Sequence, residues 1–127
     1  MIRDEIEKTA LADIDISSPD TGSQKFCPAA DFIGFNGHFP DYPILPAMLQ
    51  ILFGVLVSEK ILGKKLILKK LDKAKFMVQI KPEETIAVTS KIIQTAPDKP
   101  GTGIKARVTI TVAEKKAASM TLLLDPA

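Results

Sequence analysis

Pro46-Ala47-Met48-Leu49-Gln50-Ile51-Leu52-Phe53-Gly54-Val55-Leu56-Val57-Ser58-Glu59-Lys60-Ile61-Leu62-Gly63 decides the fold of this chain. Pro46 suits the first turn of a helix, where its missing N–H would be unpaired in any case, and Gly63 supplies the stop. Between them Ala47, Met48, Leu49, Ile51, Leu52, Phe53, Val55, Leu56 and Val57 leave almost no polar face. A helix that is apolar all round has to be buried all round, so other elements must wrap it. The apolar run from Ile44 to Val57 is interrupted by Pro46 and Gln50 and ends in Ser58-Glu59-Lys60. A membrane-spanning helix needs ~20 apolar residues, so the run reads as the buried helix of a soluble protein with no membrane partner.

The flanking segments supply the wrapping. Ile2, Ile6 and Ala10 recur four apart among charges, the pattern of a short amphipathic helix over residues 2–10. Ala12, Ile14 and Ile16 then alternate with Asp13, Asp15 and Ser17, as in a half-buried strand starting near Leu11. Ser17 to Ser23 is turn chemistry, and Gln24 to Ala30 returns as a second strand, with Pro28 marking an edge or a bulge. After the helix, alternation predicts strands over residues 72–80, 86–92 and 104–112, and residues 117–124 form a further apolar strand. Strand, strand, long helix and about four strands, without repeated strand–helix alternation, give an α+β chain. The expected architecture is an antiparallel sheet wrapped around one long buried helix, a single domain over residues 1–127.

Composition removes several function classes. The 127 residues hold 17 basic and 15 acidic side chains, and all the basic ones except Arg3 and Arg107 are Lys. A nucleic-acid partner is not expected, because base and phosphate recognition favours Arg with interleaved aromatics. The lone Cys27 cannot form an internal disulfide, and one His with one Cys cannot make a four-ligand zinc site, so neither metal nor cofactor is expected. Met1-Ile2-Arg3-Asp4-Glu5 is charged where a secretory signal would be apolar, which points to the cytoplasm.

Gly37-His38-Phe39-Pro40-Asp41-Tyr42-Pro43-Ile44-Leu45-Pro46 carries the only histidine into the start of the buried helix. An imidazole exchanges protons near neutral pH. The helix start offers unpaired N–H groups and the positive end of the macrodipole, which can polarise a carbonyl oxygen. Together they suit chemistry beside a thioester or other carbonyl. From spacing alone, a structural histidine that fixes the loop is an equal reading.

This stretch resembles the signature of the 3-hydroxyacyl-(acyl-carrier-protein) dehydratases of the FabZ/FabA type, which have the hotdog fold. Their pattern is G-H-F-P, two residues, P-[IV], one residue, P-G, then the apolar helix; Gly37, His38, Phe39, Pro40, Pro43, Ile44 and Pro46 match it. Asp72-Lys73-Ala74-Lys75-Phe76 and Lys81-Pro82-Glu83-Glu84 resemble the family's strand after the helix and its P-G-D turn, so the likeness covers roughly residues 30–124. The resemblance implies that His38 removes the C2 proton of a 3-hydroxyacyl thioester and that the Ala47 N–H binds the carbonyl. Phe39, Pro46, Ala47 and Leu52 would then line the substrate site. It also implies an acyl-carrier-protein or coenzyme A thioester as partner and a homodimer or higher homo-oligomer, with the acyl tunnel between subunits. The exposed-looking lysines 64, 65, 69, 70, 73 and 75 offer a basic stretch to an acidic carrier, or simply a solvated face.

Three positions depart from the family. Ala47 stands in place of Gly, Asp41 stands where Gly is usual, and Leu52 replaces the Glu or Asp that protonates the leaving hydroxyl. An alkyl chain cannot donate a proton. Gln50 lies ~200° around the helix from Leu52, and Glu59 lies on the Leu52 face ~10.5 Å along, so neither is an obvious replacement. Asp41 is the nearby carboxylate, either a member of the site or a solvated turn residue. The expected function is a dehydratase-type protein acting on or binding acyl thioesters in fatty-acid-like biosynthesis; the alternatives are a non-catalytic acyl-thioester-binding hotdog protein and a hotdog thioesterase.

Overall fold

The computed structural model describes residues 2–32, 44–95 and 103–127. Its elements run α1 (Ile2–Glu7), β1 (Asp15–Ser18), β2 (Thr21–Phe26), α2 (Ala47–Leu62), β3 (Leu66–Phe76), β4 (Ile86–Thr95), β5 (Ile104–Val112) and β6 (Lys115–Pro126). The strands form one antiparallel sheet in the order β1-β2-β4-β5-β6-β3. The helix α2 follows β2 and precedes β3, two strands that lie on opposite sides of β4, β5 and β6. It therefore crosses the sheet face, and it packs against β2, β3, β4 and β5. The wrapping that the apolar run demands is this sheet.

Period-two alternation does the wrapping. Ile104, Ala106, Val108, Ile110 and Val112 of β5, with Ile86, Val88, Ser90 and Ile92 of β4, are buried at every second position. Phe53 of α2 is fully buried and meets Phe26 of β2 edge to face, the ring centroids 4.9 Å apart. Gly54 brings the helix close to β5, because a Cβ there would stand 3.0 Å from a Val108 methyl. Ser58 donates to the Gly54 carbonyl at 2.8 Å and shares a 2.7 Å hydrogen bond with the Ser90 hydroxyl, so both buried hydroxyls are partnered.

The far end of α2 is locked by charge and backbone. Gly63 adopts φ 68° and ψ 29°, the left-handed conformation of a helix stop, and its N–H bonds to the Glu59 carbonyl. The Glu59 carboxylate accepts from Arg3 Nη1 at 2.7 Å and from the Leu66 N–H at 2.9 Å. Lys60 reaches Glu7 Oε1 and Gln24 Oε1, each at 2.6 Å. These contacts join α1, α2, β2 and the start of β3 at one end of the molecule.

Several element bounds differ from the sequence reading. The helix at the amino terminus stops at Glu7, β1 starts only at Asp15, and β2 already begins at Thr21. The strand expected over residues 72–80 runs over Leu66–Phe76 instead. Its burial is almost uniformly exposed, so side-chain alternation is not what specifies it; pairing with β6 is. Lys73, at φ 50°, sits in the irregularity between Asp72 and Lys75, where the alternation slips. No helix among the described residues is long and apolar enough to cross a membrane.

Candidate active site

The start of α2 is held by its neighbours on two sides. Pro46 is extended, at φ −64° and ψ 152°, and precedes the first helical residue, Ala47. The carbonyl of Pro46 takes the N–H groups of Leu49 and Gln50, each at 3.1 Å, leaving those of Ala47 and Met48 without a partner among the described residues. The Leu45 N–H donates to Ile80 O at 2.8 Å, tying the helix entry to the segment after β3. That segment is fixed in turn by the Met77 and Val78 N–H groups, both of which donate to Ala117 O of β6.

Between these two pieces of chain lies a cavity of about 200 Å³. Residues 44–47 and Gln50 form one wall, and residues 76–79 form the other. Phe76, Met77 and Val78 are 39–49% exposed, so this wall presents apolar surface to solvent. The cavity thus sets a largely apolar lining beside Ala47, the first residue of a sixteen-residue helix, whose N–H has no partner among the described residues. Such a site takes an apolar chain and stabilises negative charge on an oxygen at its head.

Of the residues singled out from sequence, Pro46 and Ala47 line this cavity. Leu52 is half-buried, packs against the core and takes no part in the lining. His38, Phe39 and Asp41 lie outside the described residues. Glu59 is occupied by Arg3 and the Leu66 N–H, a structural duty that removes it as a stand-in for the missing acid. Gln50, read from helix geometry as facing away from Leu52, donates through Nε2 to Leu45 O at 3.1 Å, while its buried Oε1 has no partner among the described residues. From the sequence Gln50 reads as a satisfied polar group in the core or at a dimer contact; it is in the core, but its oxygen is left unsatisfied among the described residues. The available signal was the placement of Gln50 three residues after Ala47, on the same helix face.

The larger hollows carry no such arrangement. Those of about 420 and 580 Å³ are lined in part by Arg3, Glu7, Glu59, Lys60 and Gln24, which already bind one another, and a third, of about 430 Å³, lies over β3, β5 and β6 beside Lys73, Lys75 and Arg107, away from the helix start. Among the described residues no group of three or more His, Cys, Asp or Glu side chains could hold a metal ion.

An antiparallel sheet wrapped around one helix, with a cavity at the helix start, defines a hotdog protein. The model of the ApeI-like family, described as ApeI dehydratase, matches residues 17–120, and the chain belongs to this family. It is 37% identical over 90 residues to a 3-hydroxyacyl-[acyl-carrier-protein] dehydratase FabZ of Streptococcus suis (strain 98HAH33), covering 65% of this chain and 56% of that protein. The FabZ of Streptococcus sanguinis (strain SK36) is 36% identical over the same shares. The matched region thus spans little more than half the length of these relatives. Among solved structures, the dehydratase heterocomplex ApeI:P from Xenorhabdus doucetiae superposes with a TM-score of 0.72 at 16% identity, covering 91% of this chain and 95% of that one. A hypothetical thioesterase with coenzyme A from Streptococcus pneumoniae TIGR4 gives a TM-score of 0.71 at 9% identity, covering 99% and 94%. These two likenesses establish the shared fold.

Proposed function

We propose that this chain dehydrates 3-hydroxyacyl thioesters carried on acyl-carrier protein or coenzyme A. The observation that carries this reading is the largely apolar cavity lined by Ala47, whose N–H has no partner among the described residues, in a member of a dehydratase family. The thioester carbonyl binds at the helix start, where developing enolate charge is stabilised by the Ala47 N–H. His38 takes the C2 proton, the C3–O bond breaks, and the hydroxyl leaves as water after receiving a proton. With an alkyl chain at Leu52, we assign that proton to Asp41, three residues after His38 in the sequence. Phe39 and Pro46 complete the apolar lining.

The unit is a homodimer in this proposal. β3 pairs with β6 alone and leaves its other edge open among the described residues, while Ile67, Leu68, Phe76, Met77 and Val78 are exposed. An open strand edge with apolar side chains favours pairing with a second copy. Lys69, Lys70, Lys73 and Lys75 are exposed along the same strand and suit an acidic carrier. The protein works in the cytoplasm, where such thioesters are made.

Leu52 favours a second reading, in which the protein binds acyl thioesters without elimination. One assay separates these. Purified protein given a 3-hydroxyacyl thioester is followed for enoyl product and for free thiol. Enoyl product that disappears in His38→Ala and falls at least ~100-fold in Asp41→Asn supports the dehydratase, the general acid–base contribution being ~10²–10⁴-fold. Free thiol in place of enoyl product identifies a thioesterase, and bound ligand with neither product identifies a binding protein.

A further inference from the structure

We propose that Gln50 is a specificity residue whose side-chain oxygen accepts a hydrogen bond from the 3-hydroxyl of the bound acyl group. The inference rests on the acyl-thioester reading above and adds to it the group that tells a hydroxylated chain from a saturated one.

Gln50 is only 4% exposed, yet its Oε1 has no partner among the described residues. Buried polar atoms are nearly always paired, because an unpaired one forgoes its bond to water without recompense. The amide nitrogen is already engaged, since Nε2 donates to Leu45 O at 3.1 Å, and the oxygen meets a ligand hydroxyl after a small shift of the amide toward the cavity. That bond also fixes which atom is the nitrogen, as a carbonyl partner requires a donor. What remains is an acceptor that lacks a donor among the described residues.

Its position limits what the donor is. Gln50 lies one turn beyond Ala47, ~4.5 Å along the axis and ~60° around it. A helical side chain leans toward the amino terminus, so the Gln50 amide covers the turn that begins at Ala47. Both residues line the same cavity, whose other lining side chains are almost all apolar. A ligand with its carbonyl oxygen at the Ala47 N–H therefore places its nearest atoms beside Gln50. In a 3-hydroxyacyl thioester the hydroxyl lies three bonds from the carbonyl carbon, on the acyl side. The first pantetheine N–H lies four bonds away, on the sulfur side. An amide oxygen accepts from that hydroxyl and cannot protonate it, so Gln50 recognises the substrate without replacing the acid absent at Leu52.

The test uses two pantetheine thioesters with two methyl groups at C2, one bearing a 3-hydroxyl and one its 3-deoxy counterpart. Neither has a C2 hydrogen, so neither can eliminate. Affinities are measured by equilibrium dialysis on wild type and on Gln50→Met, with circular dichroism as the folding control. Wild type is expected to prefer the hydroxylated ligand about tenfold, the worth of one net hydrogen bond, and Gln50→Met to lose that preference while holding the deoxy ligand unchanged. A preference that survives in folded Gln50→Met overturns the assignment, as does an equal weakening of both ligands, which would give the acceptor to the pantetheine amide. Should Gln50→Met not fold, equal affinity of wild type for the two ligands overturns it alone. Failure of wild type to bind either thioester refutes the acyl-thioester reading itself, and this assignment with it.

Discussion

Glu59 shows at the scale of one residue why a plausible acid is not one. It is 9% exposed, and its two carboxylate oxygens accept from Arg3 and from the Leu66 N–H that opens β3. Arg3 is 37% exposed in its side chain, which limits the ion pair to about 1 kcal/mol or less. The backbone bond is buried, and leaving its N–H unpaired costs about 1–3 kcal/mol. Glu59→Ala is therefore expected to lose that amount in urea denaturation, and Glu59→Gln, which retains a carbonyl acceptor, to lose less than half of it. Equal losses would mean that the charge, not the acceptor, is what matters. Helix geometry in the sequence places Glu59 on the Leu52 face, but its partners stand 56 and 7 residues away, across a contact that only the folded chain makes. Glu83 is similar. It occupies the glycine place of the P-G-D-like turn at φ 70°, and the likeness of the stretch, not the residue itself, signals that conformation.

Among elements, α2 was legible to the residue, because an apolar run bounded by Pro46 and Gly63 has one physical solution. β4 and β5 were legible for a similar reason, since burial at every second position leaves a period-two pattern in the sequence. β3 was not. As an edge strand it buries almost nothing on its own, and lysines at successive positions hide its limits. The candidate site divides the same way: the helix start could be read from Pro46, whereas its facing wall, residues 76–79, depends on how the chain leaves β3. The contact of α2 with β5 makes a prediction of its own. A Cβ at Gly54 meets Val108 methyls at 3.0 and 3.1 Å, so Gly54→Ala sets a gain in helix propensity of about 1 kcal/mol against a small shift of Val108. Gly54→Val adds branches that have nowhere to go and is expected to cost about 1–3 kcal/mol by thermal unfolding. Val108→Ala, destabilising by itself, should recover part of the loss in the double variant. Purely additive losses would place the clash elsewhere.

At the scale of the whole molecule, the proposed dimer would link assembly to binding through the edge of β3 that is open among the described residues. The Phe76, Met77 and Val78 wall of the cavity is exposed at the end of the same strand, so a second copy paired along β3 would cover apolar surface that now faces water. Ile67 and Leu68, 45% and 37% exposed, lie on this strand and do not line the cavity, which lets assembly be perturbed without touching the site. For the proposed dimer, wild type should sediment at twice the 13.8 kDa chain mass, and the double variant Ile67→Glu with Leu68→Glu at the single mass, its circular dichroism unchanged. Thioester affinity should fall in step with the loss of dimer, because the wall at residues 76–79 then returns to solvent. A variant that is monomeric yet binds with full affinity would show that each subunit holds a complete site, and the open edge of β3 would then serve assembly alone.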